Sequence, residues 1–127
     1  MTEKSKSFVI ESPVKLHLRP AGDIVTYFQK LAAENPTVRA CLELDSLDPG
    51  FDPERDGVVC DDPTSMTKVM MFTGIALHGW DTEKRFRVQL HGPAETVELL
   101  IQKTMSDLQE LADSWVRYTI MNRTIND

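Results

Sequence analysis

His17, Arg19 and Pro20 fall within four positions of one another in VKLHLRPAGDIV, residues 14 to 25. A neutral imidazole is a nucleophile toward phosphorus, and the phosphoramidate it forms is labile enough to be handed on. A guanidinium two residues away supplies charge-assisted hydrogen bonds to phosphoryl oxygens. A helix beginning near Leu18 would add the unpaired N–H groups and partial positive charge of its first turn, which favour an anion. Pro20 suits that turn, because its fixed φ is helical and its missing N–H removes no helical bond. The segment therefore points to reversible phosphoryl transfer through His17, with Arg19 holding the phosphate. From spacing alone, a surface histidine at a helix entrance is the competing reading.

The neighbouring pattern indicates what positions these residues. SFVIES, residues 7–12, is β-branched and aromatic and is closed by Pro13, which predicts a strand. Ala21, Ile24, Val25, Phe28, Leu31 and Ala32 then recur at helical spacing, and ENP at 34–36 stops the helix. TVRACLEL, 37–44, alternates Val38, Ala40, Leu42 and Leu44 inward, as a half-buried strand does. Residues 45–56, with Pro49-Gly50 and Pro53, predict a loop, and GVVC, 57–60, a short strand. PTSMTKVMMFTGIAL, 63–77, predicts a helix, HGWD a turn, and KRFRVQLH, 84–91, a strand. Gly92-Pro93 opens the last helix. The order is β-α-β-β-α-β-α, and its amphipathic helices predict an α+β open-faced β-sandwich, a small antiparallel sheet with the helices on one face.

The 127 residues suffice for one domain with its own core. Hydrophobic and charged contents of 41% and 27% are those of a globular protein. No apolar run approaches the ~20 residues of a membrane span, and MTEKSKSFVI has no signal-peptide core, so a cytoplasmic location is expected. The net charge of −6 is local: residues 43–62 hold eight acidic side chains against Arg55, so this segment carries −7 and the remainder +1. Without a basic cluster the chain has no electrostatic footprint for nucleic acid. Cys41 and Cys60 lack metal-ligand spacing and read as reduced thiols, Cys41 buried in a strand. The acidic residues Asp48, Asp52, Glu54 and Asp56 lack the register of a calcium loop and read as solvated. No metal and no cofactor are expected.

KLHLRPAGDIV resembles the active-site segment of the HPr phosphocarrier family of the bacterial phosphoenolpyruvate:sugar phosphotransferase system, in which His-x-Arg-Pro-Ala opens the first helix. His17, Arg19, Pro20 and Ala21 match that pattern, and TSMTKVMMFTGIALHGW resembles the family's second-helix region at Ser65, Val69 and Met70. The similarity runs from residue 7 to about 110 and implies an HPr-like fold with the element order read above. It also implies that His17 takes a phosphoryl group from phosphoenolpyruvate-charged Enzyme I and passes it to sugar-specific or regulatory acceptor proteins. The chain would then be a covalent carrier rather than a turnover enzyme. Leu18, Pro20, Met66 and Met70 would form a docking patch, with Met66 and Met70 beside His17, and methionine suits a surface that fits several partners. Ser65 would be open to a regulatory serine kinase; its other reading is a helix cap, which Asp62 contests. A docking module with little or no phosphotransfer is the alternative function.

Several features depart from the family. Lys15 stands where glycine is usual two residues before the histidine, and Thr64 where a lysine often precedes the serine. The acidic loop 45–56 is longer than the family's, and the core, 7–111, is followed by an extension, 112–127. Val97, Leu100, Ile101, Met105, Leu108, Leu111, Trp115 and Tyr118 carry one apolar stripe into that extension. They predict a helix about 33 Å long over 97–118. Folding back or self-association is expected of it, since an exposed aromatic cluster is avoided by soluble monomers; Arg123 to Asp127 are expected to fray. Phosphotransfer is expected to be independent of the extension. His78 and His91, without an Arg-Pro neighbour, are assigned no role.

Overall fold

The computed structural model describes residues 2–12, 18–45, 52–77 and 84–126. Along the chain lie β1 (Glu3–Ser12), α1 (Leu18–Glu34), β2 (Arg39–Asp45), α2 (Pro53–Asp56, one turn), β3 (Val59–Cys60), α3 (Met66–Leu77), β4 (Lys84–Pro93) and α4 (Ala94–Asn126). The strands form one antiparallel sheet in the order β1-β4-β2-β3. Apart from the one-turn α2, this is the α+β element order expected from the sequence.

Strand register sorts the side chains onto two faces, because successive residues of a strand point to opposite sides. Phe8 and Ile10 of β1 lie beside Val88 and Phe86 of β4, which in turn adjoin Leu42 and Leu44 of β2. All six are buried. They share a core with Ala21, Ile24, Val25 and Phe28 of α1, Val69 and Phe72 of α3, and Val97, Ile101, Leu108, Ala112 and Trp115 of α4. The three long helices therefore cover one face of the sheet. The other face carries Ser5, Val9, Arg39, Cys41, Glu43, Arg85, Arg87, Gln89 and His91, all exposed or half-buried. The arrangement is compatible with an open-faced α+β sandwich.

Differences from the expected boundaries have local causes. β1 begins at Glu3 rather than near Ser7, because Lys4 and Lys6 occupy core-face positions at the end of the sheet. There Lys4, half-buried, pairs with Glu98 of α4. β4 runs through Gly92 and Pro93 rather than ending at His91, and Ala94 N–H donates to the Thr2 carbonyl at 3.0 Å, tying the start of α4 to the start of β1. A Cβ on Gly92 would lie 2.9 Å from the Thr37 carbonyl oxygen. Only glycine lets β4 approach the entrance of β2 so closely. Among the described side chains of α4, which end at Trp115 and so leave out Tyr118, the buried positions are Val97, Ile101, Thr104, Leu108, Ala112 and Trp115; Met105, placed on the stripe by the sequence, is 37% exposed and the adjacent Thr104 takes the inward position. The helix continues to Asn126, through residues expected to fray. Among the described residues no helix is long and apolar enough to cross a membrane.

Candidate functional site

His17 lies outside the described residues, as do Lys15, Asp48 and His78. The helix that follows His17 is described: α1 starts at Leu18 and includes Arg19 and Pro20 in its first turn. That turn contains no acidic residue, so no carboxylate of its own offsets the positive end of the helix dipole. Ala21, Ile24, Val25 and Phe28 anchor α1 in the core.

α1 is also clamped from the far end of the chain. Trp115 of α4 is 2% exposed, and its Nε1–H donates to Asp23 Oδ2 at 2.8 Å. One turn further along α1, the Tyr27 hydroxyl donates to Asp107 Oδ2 at 2.9 Å, and Lys103 donates to the same oxygen at 2.7 Å. Burial, and next the bond to Asp107, push the Tyr27 pKa up to about 12. The bond from Lys103 holds the Asp107 carboxyl below its ordinary value. The extension thus folds back on its own domain, against the helix that opens beside His17. It meets α1 only six residues after His17, so the expected independence of the motif from the extension does not follow from the fold.

At the second sequence-predicted site the cap is explicit. Ser65 Oγ accepts the Lys68 N–H at 3.3 Å, and the Asp62 carboxylate accepts the Thr64 N–H at 3.1 Å. Asp62 shapes the turn and Ser65 caps α3, two neighbouring roles rather than one contested role. Lys68 binds Asp61 at 2.8 Å and holds that carboxyl below its ordinary value. Val69 and Phe72 face the core, whereas Met66, Met70 and Met71 are 38%, 46% and 60% exposed. α3 packs on α1, and Gln29 donates to the Thr64 carbonyl at 3.2 Å. This bond sets the entrance of α3 beside the second half of α1, about 16 Å along the axis from Leu18.

The cysteines are free; Cys60 is buried and Cys41 half-buried rather than fully enclosed. Cys60 adjoins Leu42 on the core face and Cys41 points to the open face. Burial raises both thiol pKa values, the opposite of what a reactive thiolate needs. Among the described residues no three His, Cys, Asp or Glu side chains are placed to hold a metal. In the acidic segment, Asp52 Oδ1 accepts the Glu54 N–H at 3.0 Å at the start of α2.

His91, assigned no role from the sequence, has polar partners on the open face of the sheet. Its Nδ1 lies 2.6 Å from Ser5 Oγ, and its Nε2 lies 3.4 Å from Glu3 Oε2. The alternation of Glu3 and Ser5 is visible in the sequence, but only the β1–β4 register sets them around this histidine. No protein-family model, no curated protein and no solved structure matches the chain.

Proposed function

We propose that the protein is a phosphocarrier that accepts a phosphoryl group on His17 and passes it on. The observation that carries this reading is the start of α1 at Leu18, next to His17, with no acidic residue in its first turn. The His17 imidazole attacks the phosphorus of a phosphohistidine donor, forming one P–N bond as the donor's breaks. The first-turn N–H groups and Arg19 then hold the phosphoryl oxygens. In the second step an acceptor takes the phosphoryl group and His17 returns to the neutral imidazole. The α+β element order and the antiparallel sheet agree with the HPr resemblance. On that resemblance the donor is Enzyme I charged by phosphoenolpyruvate, the acceptors are sugar-specific or regulatory proteins, and the setting is the cytoplasm.

A second reading, a docking module with little phosphotransfer, is favoured by Met66, Met70 and Met71, an exposed apolar stretch on one short helix. Incubation with Enzyme I and labelled phosphoenolpyruvate separates the two. The carrier takes up one acid-labile, base-stable phosphoryl group, and His17→Ala abolishes the uptake. Uptake by His17→Ala at the wild-type rate rules the carrier out; no uptake by the native chain leaves the docking module. Arg19→Lys keeps the charge and loses the planar fork, so transfer slows while melting is unchanged.

A further inference from the structure

The open face of the sheet holds a shallow concavity of about 340 Å³, lined chiefly by Ser5, Arg39, Cys41, Asp61, Gln89 and His91. Register explains why it is there. Ser5, His91 and Arg39 form one row across β1, β4 and β2, and Gln89 and Cys41 lie in the next row. The arginines on this face are not treated alike. Arg85 has Asp45 and Glu11 as its cross-strand neighbours and binds Asp45 at 3.0 Å; Arg87 lies opposite Glu43. Arg39 lies opposite His91 and makes no ion pair among the described residues.

The His91 imidazole is held at both ring nitrogens. Its Nε2 lies 3.4 Å from Glu3 Oε2 and its Nδ1 2.6 Å from Ser5 Oγ. The Arg39 guanidinium, the Gln89 amide and the Ser5 hydroxyl all line the concavity, a set of groups that suits a phosphate better than a lone carboxylate. Asp61 lines the same concavity but is engaged by Lys68, which offsets its charge. Its carboxylate can accept a hydroxyl from the remainder of the ligand. The volume lies within the range of small-molecule sites and exceeds what a bare phosphate occupies.

We propose that this face binds a small hydroxylated phosphomonoester, its phosphate held by Arg39, Ser5 and Gln89 beside His91 and its hydroxyl by Asp61. The site is on the opposite face of the sheet from α1, so it stands or falls independently of phosphotransfer at His17. The test is a titration of the full chain with glycerol 3-phosphate at constant ionic strength, followed by backbone amide resonances. Saturable shifts are expected at Ser5, Arg39, Cys41, Gln89 and His91. Arg39→Ala weakens binding by about tenfold or more, the loss of a charged hydrogen bond, whereas Arg87→Ala changes it by about twofold or less, as a screened charge does. Absence of saturable shifts overturns the site, and so does equal weakening by the two arginine variants. Inorganic phosphate is expected to bind more weakly than the ester; equal affinity overturns the hydroxyl contact with Asp61 and the ester assignment with it.

Discussion

Trp115 and Asp23, 92 residues apart, are joined by an indole N–H that donates to the carboxylate at 2.8 Å. The bond fastens the far part of α4 to the first half of α1, and the indole ring is 2% exposed. Trp115→Phe keeps most of the apolar contact and removes the donor, so it costs about 1.5–3 kcal/mol, the range for hydrogen bonds to charged groups. Truncation after Ala112 removes the ring as well and lowers the melting temperature further. Thermal unfolding by circular dichroism measures both, and unchanged melting in the truncated chain would show that the extension adds nothing to the fold. Phosphate uptake measured on the same variants, below their melting temperatures, reports whether the clamp also serves His17.

The Tyr27–Asp107 contact makes stability depend on alkaline pH. The Tyr27 pKa is raised from 10.0 to about 12, first by burial and then by the hydrogen bond to Asp107. A group raised on folding contributes stability that is complete below its unfolded pKa and is lost as pH rises through the folded value. Denaturant midpoints should therefore fall between pH 10 and 12. In Tyr27→Phe the fall over that window should shrink; an identical fall in both proteins would assign it to other groups.

Gly92 is a packing requirement rather than a flexible joint. A methyl group there meets the Thr37 carbonyl oxygen at 2.9 Å and Val38 at 3.2 Å. Both nearest atoms are backbone, so the strands must separate to accept it. Gly92→Ala is expected to destabilise by about 1–3 kcal/mol, as overpacking of a close-fitted contact does. A urea midpoint equal to wild type would show that the two strands have slack.

Ser65 separates capping from regulation. Ser65→Ala removes the oxygen that accepts the Lys68 N–H and costs about 1 kcal/mol. Ser65→Asp keeps a good cap and adds a negative charge at the positive end of α3, so its melting should stay close to wild type. On the proposed phosphocarrier reading, that charge, beside the exposed Met66 and Met70, should weaken Enzyme I binding as a phosphoserine would. Equal affinity of Ser65→Asp and wild type for Enzyme I would leave Ser65 a cap and nothing more.

Local pattern was enough for elements whose apolar residues repeat at one period. Ala21, Ile24, Val25 and Phe28 in α1, and Phe86, Val88 and Leu90 in β4, are buried as their spacing indicates. The capping chemistry before α3 was also legible, since Asp62 and Ser65 act on N–H groups two and three residues away. Other features were hidden because their cause is distant in sequence. The first residues of β1 show no apolar alternation, and their strand state depends on β4 and on the Lys4–Glu98 pair. On α4, spacing could not choose between Thr104 and Met105, which adjoin each other; packing against α1 and the sheet chose Thr104.

The sequence by itself determined the order of the elements and the entrance of α1 beside His17, because helix period and proline placement act within a few residues. It also showed the apolar stripe of α4 continuing to Trp115, but not what the stripe would meet. Only the tertiary structure decided that Trp115 closes on Asp23 and that His91 stands between Ser5 and Arg39. These partners are brought together by strand register and helix packing, which depend on the whole core. A one-residue slip of β1 would turn Ser5 to the opposite face, and no local pattern around His91 records which register was adopted.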